Sequence, residues 1–270
     1  MSVNTEPSTA SLNAALEGLL RKYSVEPGTQ WQLARRCESC RGSGEVLLVA
    51  GWSEPDAELS EEVVPLLPWR SEQRFIELRR IVAQKTVTPV LMGRLACHAD
   101  GEQMPLGAIL YRQFDLAEWL TGSAIESLYT SIHEQLAANV ILRLADGAIC
   151  SVEAGVALPP GTPVQDRHEL IARRGVASDR TVDTQVAQAS VYLWDGDGRQ
   201  QCTDVDFELF GLDAAEASLV RAAYEALRQP EIRPALRQAH RRLRRLVELA
   251  FESEQRGERL RVEADSGEDA

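Results

Sequence analysis

At 270 residues, with 44% hydrophobic and 26% charged residues, the chain is long enough to bury a sizeable core and has an ordinary globular composition. A formal charge of −12 opposes non-specific nucleic-acid binding, and no apolar run approaches the roughly 20 residues of a membrane span. Five cysteines, an odd number in a chain this long, argue against a small disulfide framework; with no signal-peptide pattern near Met1, a cytoplasmic setting with reduced thiols is expected.

Residues 2–11 read as a polar, disordered leader. Leu12, Leu16, Leu19 and Leu20 then repeat at helical spacing, which predicts a helix to Tyr23 with Ser11 as N-cap and Pro27-Gly28 as its end. Residues 30–44 are polar and Arg-rich. Val46–Ala50 reads as a buried strand, residues 53–62 as an acidic loop or frayed helix, and Val63–Trp69 as a second apolar run broken by two prolines. From Glu72 to Gln84, Phe75, Ile76, Leu78, Ile81 and Val82 predict a helix with a broad apolar stripe. A strand is expected over 87–98 and a short helix over 114–120, stopped by Gly122.

The pattern then turns to β. Asn139–Leu144, Asp146-Gly147 and Ala148–Ala157 predict a hairpin closed by a tight primed turn. His168–Ala172 is a further strand. Ser190–Trp194 and Gln201–Asp206 form a second hairpin around Asp195-Gly-Asp-Gly, a sequence explained by a turn rather than by a calcium loop. Asp213 is placed to cap a helix over 214–228, and Pro234 to start another, with Leu236, Leu243, Val247 and Ala250 on one side. Residues 257–270 read as a disordered acidic tail. The expected class is α+β, a largely antiparallel open sheet with helices packed on one face. The expected organisation is a leader at 1–11, an N-terminal helix and following segment at 12–62, a sheet domain at 63–256 and a tail at 257–270.

Four stretches, in order and over about two-thirds of the chain, resemble the C-terminal domain of the Gfo/Idh/MocA oxidoreductases. Arg74-Phe75 through Val90 is similar to the helix and strand that follow that family's nucleotide-binding domain. GAILYRQFDLAEWLTG, Gly107–Gly122, is similar to its segment GG(A)xxDxGxHxxDLxxWLxG. VILRLADGAICSVEA, Val140–Ala154, is similar to its hairpin VxLRFxNGAxxxxEA. Leu236–Leu260 is similar to its closing helix.

That family's chemistry implies a Gly-rich turn for a dinucleotide, a lysine in an E-K-P segment, and an Asp and a His in the second domain. This sequence has no GxGxxG after a strand, and neither of its lysines, Lys22 and Lys85, stands in an E-K-P context. Aligned on Asp115 and Trp119-Leu120, Ala108 takes the Asp position and Arg112 the His position. A one-residue shift offers only Tyr111 or Gln113. Alanine exchanges no proton and arginine stays protonated, so no catalytic residue is assigned. Tyr111, Arg112 and Asp115 remain as candidate substrate-binding residues. Arg112 is read either as a fork for a ligand's carboxylate or phosphate, or as the partner of an acid such as Glu118.

CESCRGSG, residues 37–44, fits CxxCxGxG, half of a zinc knuckle. Cys37 and Cys40 are therefore read as structural, as metal ligands completed by Cys97-His98 or by a second chain, or as a redox pair. His98, His133, His168 and His240 show no ligand spacing and are expected to be structural or on the surface. Arg241, Arg242, Arg244 and Arg245 read as a solvated helix face.

These readings predict a non-catalytic relative of those oxidoreductases. It would act as an accessory or assembly subunit, as a homo-oligomer or beside a full-length dehydrogenase paralogue, with no resident cofactor. The alternatives are a partner-dependent oxidoreductase on a sugar-like substrate, with NAD(P) supplied by a partner chain, and a sensor of a sugar acid or phosphate. The outward face of the Val140–Leu144 strand, if apolar, predicts association through the sheet.

Overall fold

The computed structural model describes residues 9–35, 45–53, 59–179, 191–195, 198–202 and 212–263. The leader through Ser8, the Cys37–Gly44 segment, Gly196-Asp197, Thr203–Asp206 and the tail from Ala264 lie outside the described residues. In chain order the elements begin with α1 (Thr9–Lys22), β1 (Gln30–Ala34), β2 (Glu45–Ala50), β3 (Val63–Leu66), α2 (Gln73–Ala83), β4 (Val90–His98) and α3 (Leu106–Thr121). They continue with β5 (Ile125–His133), β6 (Ala137–Leu144), β7 (Ile149–Gly155), β8 (Gln165–Ala172), β9 (Gly175–Ser178), β10 (Val191–Asp195) and β11 (Gly198–Cys202). The last are α4 (Ala214–Arg228), α5 (Arg233–Arg256) and β12 (Leu260–Arg261). The chain divides into two compact units, Met1–Glu72 with Val205–Arg241, and Gln73–Asp204 with Arg242–Ala270.

The first unit is built on a parallel sheet in the order β1-β2-β3. Leu12, Ala15, Leu16 and Leu20 of α1 recur at helical spacing and bury one stripe. They meet Leu33, Leu48, Val64 and Leu66 from the sheet and Leu219, Val220, Ala223 and Leu227 from α4. Each fully buried leucine contributes roughly 1.5–3 kcal/mol relative to exposure. Leu47, Leu48 and Val49 are all buried, so β2 is apolar on both faces, as an inner parallel strand requires.

Two expectations for this unit are corrected. Helix α1 reaches back to Thr9, so Ser11 lies within its first turn rather than capping it. Its end is made by Ser24 at φ +52°, where Val25 N–H donates to Leu20 O at 2.9 Å, before Gly28 is reached. Strand β1 falls in the stretch read only as polar. Its apolar positions, Trp31 and Leu33, alternate with glutamines, and its outer edge is held by Asn13, whose amide both donates to Leu33 O and accepts from Leu33 N–H at 3.0 Å.

Helix α4 starts where Asp213 predicts. Glu216 N–H donates to Asp213 Oδ1 at 2.8 Å, and Asp213 N–H donates to Glu216 Oε2 at 3.0 Å, closing a reciprocal capping box. Asp213→Ala is expected to lower stability by about 1 kcal/mol, read as a lower denaturation midpoint with an unchanged denaturant slope.

The second unit holds a nine-stranded sheet in the order β11-β10-β9-β8-β4-β7-β6-β5-β12. The class is α+β as expected, but the sheet is mixed. Seven of the eight neighbouring pairs are antiparallel, whereas β4 and β7 run parallel. The cause is topological: α3 carries the chain away from β4, and the meander β5-β6-β7 then returns to β4's free edge.

The inward residues Leu95, Leu128, Val140, Leu142, Cys150, Val152 and Leu170 are all buried. Helix α3 packs on β4, β5, β6 and β7, and α2 on α3 and β9. Helix α3 starts at Leu106, eight residues before the expected Phe114. Leu106 through Ala117 are all buried, and a helix buried on every side carries no stripe for a periodicity reading to find. Its end is as expected, at Gly122 with φ +72°.

The β6–β7 turn is also corrected. Only Gly147 has positive φ (+88°), and Gly147 N–H donates to Leu144 O at 2.9 Å, so a type I turn with a glycine bulge replaces the primed turn. Beyond Gly257, β12 pairs with β5, while Thr130 N–H and Ile132 N–H donate to Ser253 Oγ and Glu254 Oε2. Together these cover β5's outer edge. In the second hairpin, β10 and β11 pair antiparallel as expected, but β11 starts at Gly198 rather than at Gln201.

Candidate functional site

The second unit carries a buried network of charged groups, assembled from α2, α3, β8 and the end of β9. Asp166 and His168 are two apart in β8 and share its inward face. Arg112, 6% exposed on α3, meets Asp166 in a two-pronged ion pair: Nη1 donates to Oδ1 at 2.9 Å and Nη2 to Oδ2 at 2.8 Å. Arg74, at the start of α2, bridges the two acids, donating from Nη2 to Asp166 Oδ2 at 2.7 Å and from Nη1 to Asp179 Oδ2 at 3.2 Å.

Asp179 Oδ2 also lies 2.6 Å from His168 Nδ1, and Asp179 Oδ1 accepts from the His168 backbone N–H at 2.7 Å. On the other side of the ring, His168 Nε2 lies 3.1 Å from Gln113 Oε1, whose own Nε2 is buried without a partner. Phe75 closes the group, edge-on to His168 with ring centroids 4.8 Å apart.

Burial alone pushes the Asp166 carboxyl upward, but the charge and hydrogen bonds of Arg112, with His168 and Arg74, outweigh it and hold Asp166 well below the usual carboxylate range. Asp179 follows the same balance. Burial raises it, and His168 and Arg74 bring it below its ordinary value. Burial pushes the Cys97 thiol up to about 12; its sulfur lies 3.7 Å from Arg112 Nη1. Cys150 is likewise pushed up to about 12, mainly by burial. Neither sulfur is a ready thiolate nucleophile.

Helix α3 thus brings Ala108, Tyr111, Arg112 and Asp115 into the protein interior, Tyr111 at 0% and Asp115 at 2% exposure. The carboxylate that Arg112 grips is Asp166's. Glu118, the acid expected for it, instead accepts from Arg242 Nη2 at 2.7 Å and from Ile125 N–H at 2.7 Å. Arg242 is therefore an internal partner rather than part of a solvated face, and His240 is 2% exposed. His168, expected to be structural, is fully buried between two side-chain partners.

Cys37 and Cys40 lie outside the described residues. Cys97 faces the buried network, and the neighbouring His98 points to the opposite face of β4, so the two do not converge on one ion. Among the described residues no group of three His, Cys, Asp or Glu side chains is placed to hold a metal.

Asp166, Asp179 and Arg74 were not singled out from the sequence. The signal for Asp166 was its spacing of two from His168. Asp179 and Arg74 reach the site only through strand register and helix packing.

In the first unit an open groove of about 860 Å³ is lined by Asn13, Glu17, Gln30, Trp31, Gln32 and Glu45. It lies at the amino ends of β1 and β2, whereas parallel α/β sheets bind dinucleotides beyond the carboxyl ends of their strands.

No helix among the described residues is long and apolar enough to cross a membrane. No protein-family model matches the chain, and no curated protein sequence does. Solved structures do match. A levoglucosan dehydrogenase bound to NADH and levoglucosan has a TM-score of 0.68 at 11% identity, over 93% of this chain and 96% of the other. An oxidoreductase from Pseudomonas syringae has a TM-score of 0.63 at 12% identity, over 96% and 77%. A Thermotoga maritima protein described as an oxidoreductase has a TM-score of 0.56 at 16% identity; the match covers 74% of this chain and 64% of that one's length. At these identities the shared property is the architecture, and the chain has the fold of Gfo/Idh/MocA-type oxidoreductases.

Proposed function

We propose that this chain is a non-catalytic relative of the Gfo/Idh/MocA oxidoreductases that serves as an accessory or assembly subunit of a related sugar or polyol oxidoreductase. The observation that carries the reading is the fate of α3. At the place where the resemblance puts an Asp and a His stand Ala108 and Arg112, and Arg112's fork is spent on Asp166. A group bound in this way neither moves a proton nor turns to a substrate.

The open face of the large sheet supports the assembly role. Val140, Leu142 and Leu144 point inward, while Ile141 and Arg143 share the other face with Tyr129 and Ile149, each of the latter two 41% exposed. Glu169 on that face pairs with Arg167 and Arg94, so the surface is mixed rather than uniformly apolar. Such a mixed surface suits a homo-oligomer or a complex with a full-length paralogue in the cytoplasm.

A second reading has one observation in its favour. The parallel β1-β2-β3 sheet with its helices resembles in layering part of a nucleotide-binding domain, which suits a partner-dependent oxidoreductase whose NAD(P) is held by another chain.

Both readings meet in one experiment: affinity purification from the native source with identification of co-eluting chains, beside titration of the isolated chain with NAD(H) and NADP(H). The expected result is a co-eluting full-length dehydrogenase and no dinucleotide binding by this chain. Restored turnover in the reconstituted pair, lost on omitting this chain, selects the second reading. Dinucleotide binding by the chain alone, or a lone monomer at micromolar concentration, overturns the assembly role.

A further inference from the structure

We propose that the outer edge of β1 is a docking site for an extended, basic peptide segment of a partner protein, which adds a strand to the β1-β2-β3 sheet and stops at Asn13. The strand order gives β1 a neighbour, β2, on one side only. The direction of its free groups follows from Leu33. Leu33 N–H donates to Asn13 Oδ1 and Leu33 O accepts from Asn13 Nδ2, each at 3.0 Å, so the main chain at Leu33 faces away from β2. Along a strand every second residue points its N–H and C=O to the same side. Trp31 therefore offers an N–H and a C=O to the outer edge, while Gln30, Gln32 and Ala34 turn theirs to β2. The Asn13 amide presents a donor and an acceptor side by side, as the peptide groups of a neighbouring strand do. It satisfies Leu33 and ends the free edge there. Among the described residues no group does the same for Trp31.

The open groove of about 860 Å³ straddles this edge. Its lining comes from both faces of the sheet: Trp31 with Glu17, Leu20 and Arg21 of α1 on one, and Gln30, Gln32 and Glu45 on the other. A groove wrapped round a strand edge suits a chain that pairs through its main chain and sends successive side chains to opposite faces. Glu17 and Glu45 stand one on each face, and among the described residues neither is in an ion pair. Two carboxylates against the single Arg21 favour basic side chains, and adjacent residues of an added strand are the ones that reach the two faces. A second copy of β1 paired across Trp31 would have to continue opposite Leu33, where Asn13 already stands, so a peptide that ends there is the occupant that fits.

The test is calorimetric titration of the full chain with a capped hexapeptide of threonine and valine that carries two adjacent lysines at its centre. Binding is expected to saturate, and to weaken about tenfold when glutamates replace the lysines. Methylating the peptide's main-chain amides leaves its charge intact and is expected to weaken binding by about tenfold as well. In the protein, Glu17→Lys with Glu45→Lys is expected to reverse the preference, so that the glutamate peptide binds more tightly than the lysine peptide. Amide hydrogen exchange is the second readout. The Trp31 N–H is expected to exchange about tenfold more slowly with the lysine peptide bound, whereas the Leu33 N–H, held by Asn13 in both states, is unchanged. No binding of the lysine peptide by the parent, equal binding of the methylated peptide, or the same Trp31 exchange rate with and without saturating peptide would each overturn the proposal. None of these outcomes depends on whether the chain assembles with a dehydrogenase.

Discussion

Replacing Asp166 by asparagine is expected to destabilise the second unit by about 3–5 kcal/mol, the usual cost of removing one partner from a buried ion pair. The magnitude follows from what is left behind. Arg112 is 6% exposed, and both prongs of its fork end on Asp166. Arg74 loses one of its two acids and keeps Asp179. An asparagine presents one neutral oxygen where two charged ones stood, so the Arg112 guanidinium loses one acceptor and the Asp166 charge.

The companion variant separates charge from packing. Arg112→Met with Asp166→Leu removes both charges together, leaves Arg74 with Asp179, and is expected to recover most of the loss. Urea denaturation of the three proteins checks this. A single Asp166→Asn with the parent's midpoint would mean that the pair contributes nothing.

Acid is expected to undo the same unit. Asp166 and Asp179 both have folded values below their unfolded one, about 3.9 for an aspartate, so their contribution is fully present above that value and is lost as pH falls through it towards the folded values. For both groups burial opposes the shift, and the fixed cations and hydrogen bonds impose it: Arg112 foremost at Asp166, His168 at Asp179. The urea midpoint is therefore expected to be flat above about pH 5 and to fall steeply below about pH 4. The steepness reports how many protons the unfolded chain takes up in excess. Asp179→Asn removes one of the two linked groups and should flatten the fall, at the cost of a lower plateau. A parent midpoint that is level down to pH 3 would show that neither carboxyl is linked to folding.

These two experiments bear on function as well as stability. A catalytic arginine or histidine is held so that its working atoms reach a ligand. Here Arg112 and His168 are turned towards Asp166, Asp179 and Gln113.

Much of the architecture was legible in the residues. The Asp213 cap, the Asp146-Gly147 turn, the stripe of α2 and the stop at Gly122 are local signals, and local chemistry decided each of them. The readings failed where an element was not two-sided. Helix α3 was shortened because it is buried all round. Strand β1 was passed over because glutamines surround its two apolar residues, and β5 because its inward and outward residues slip at a bulge near Ile125.

By itself, then, the sequence determined which segments turn, cap and alternate. These are properties of a residue and its near neighbours along the chain. Only the tertiary structure decided that β4 and β7 run parallel, that Glu118 belongs to Arg242, and that Arg112 and Arg74 share Asp166 across 54 and 92 residues. The physical reason is that an ion pair in the interior is chosen by whichever carboxylate the sheet register and helix packing deliver within about 3 Å, and sequence separation carries no information about that distance.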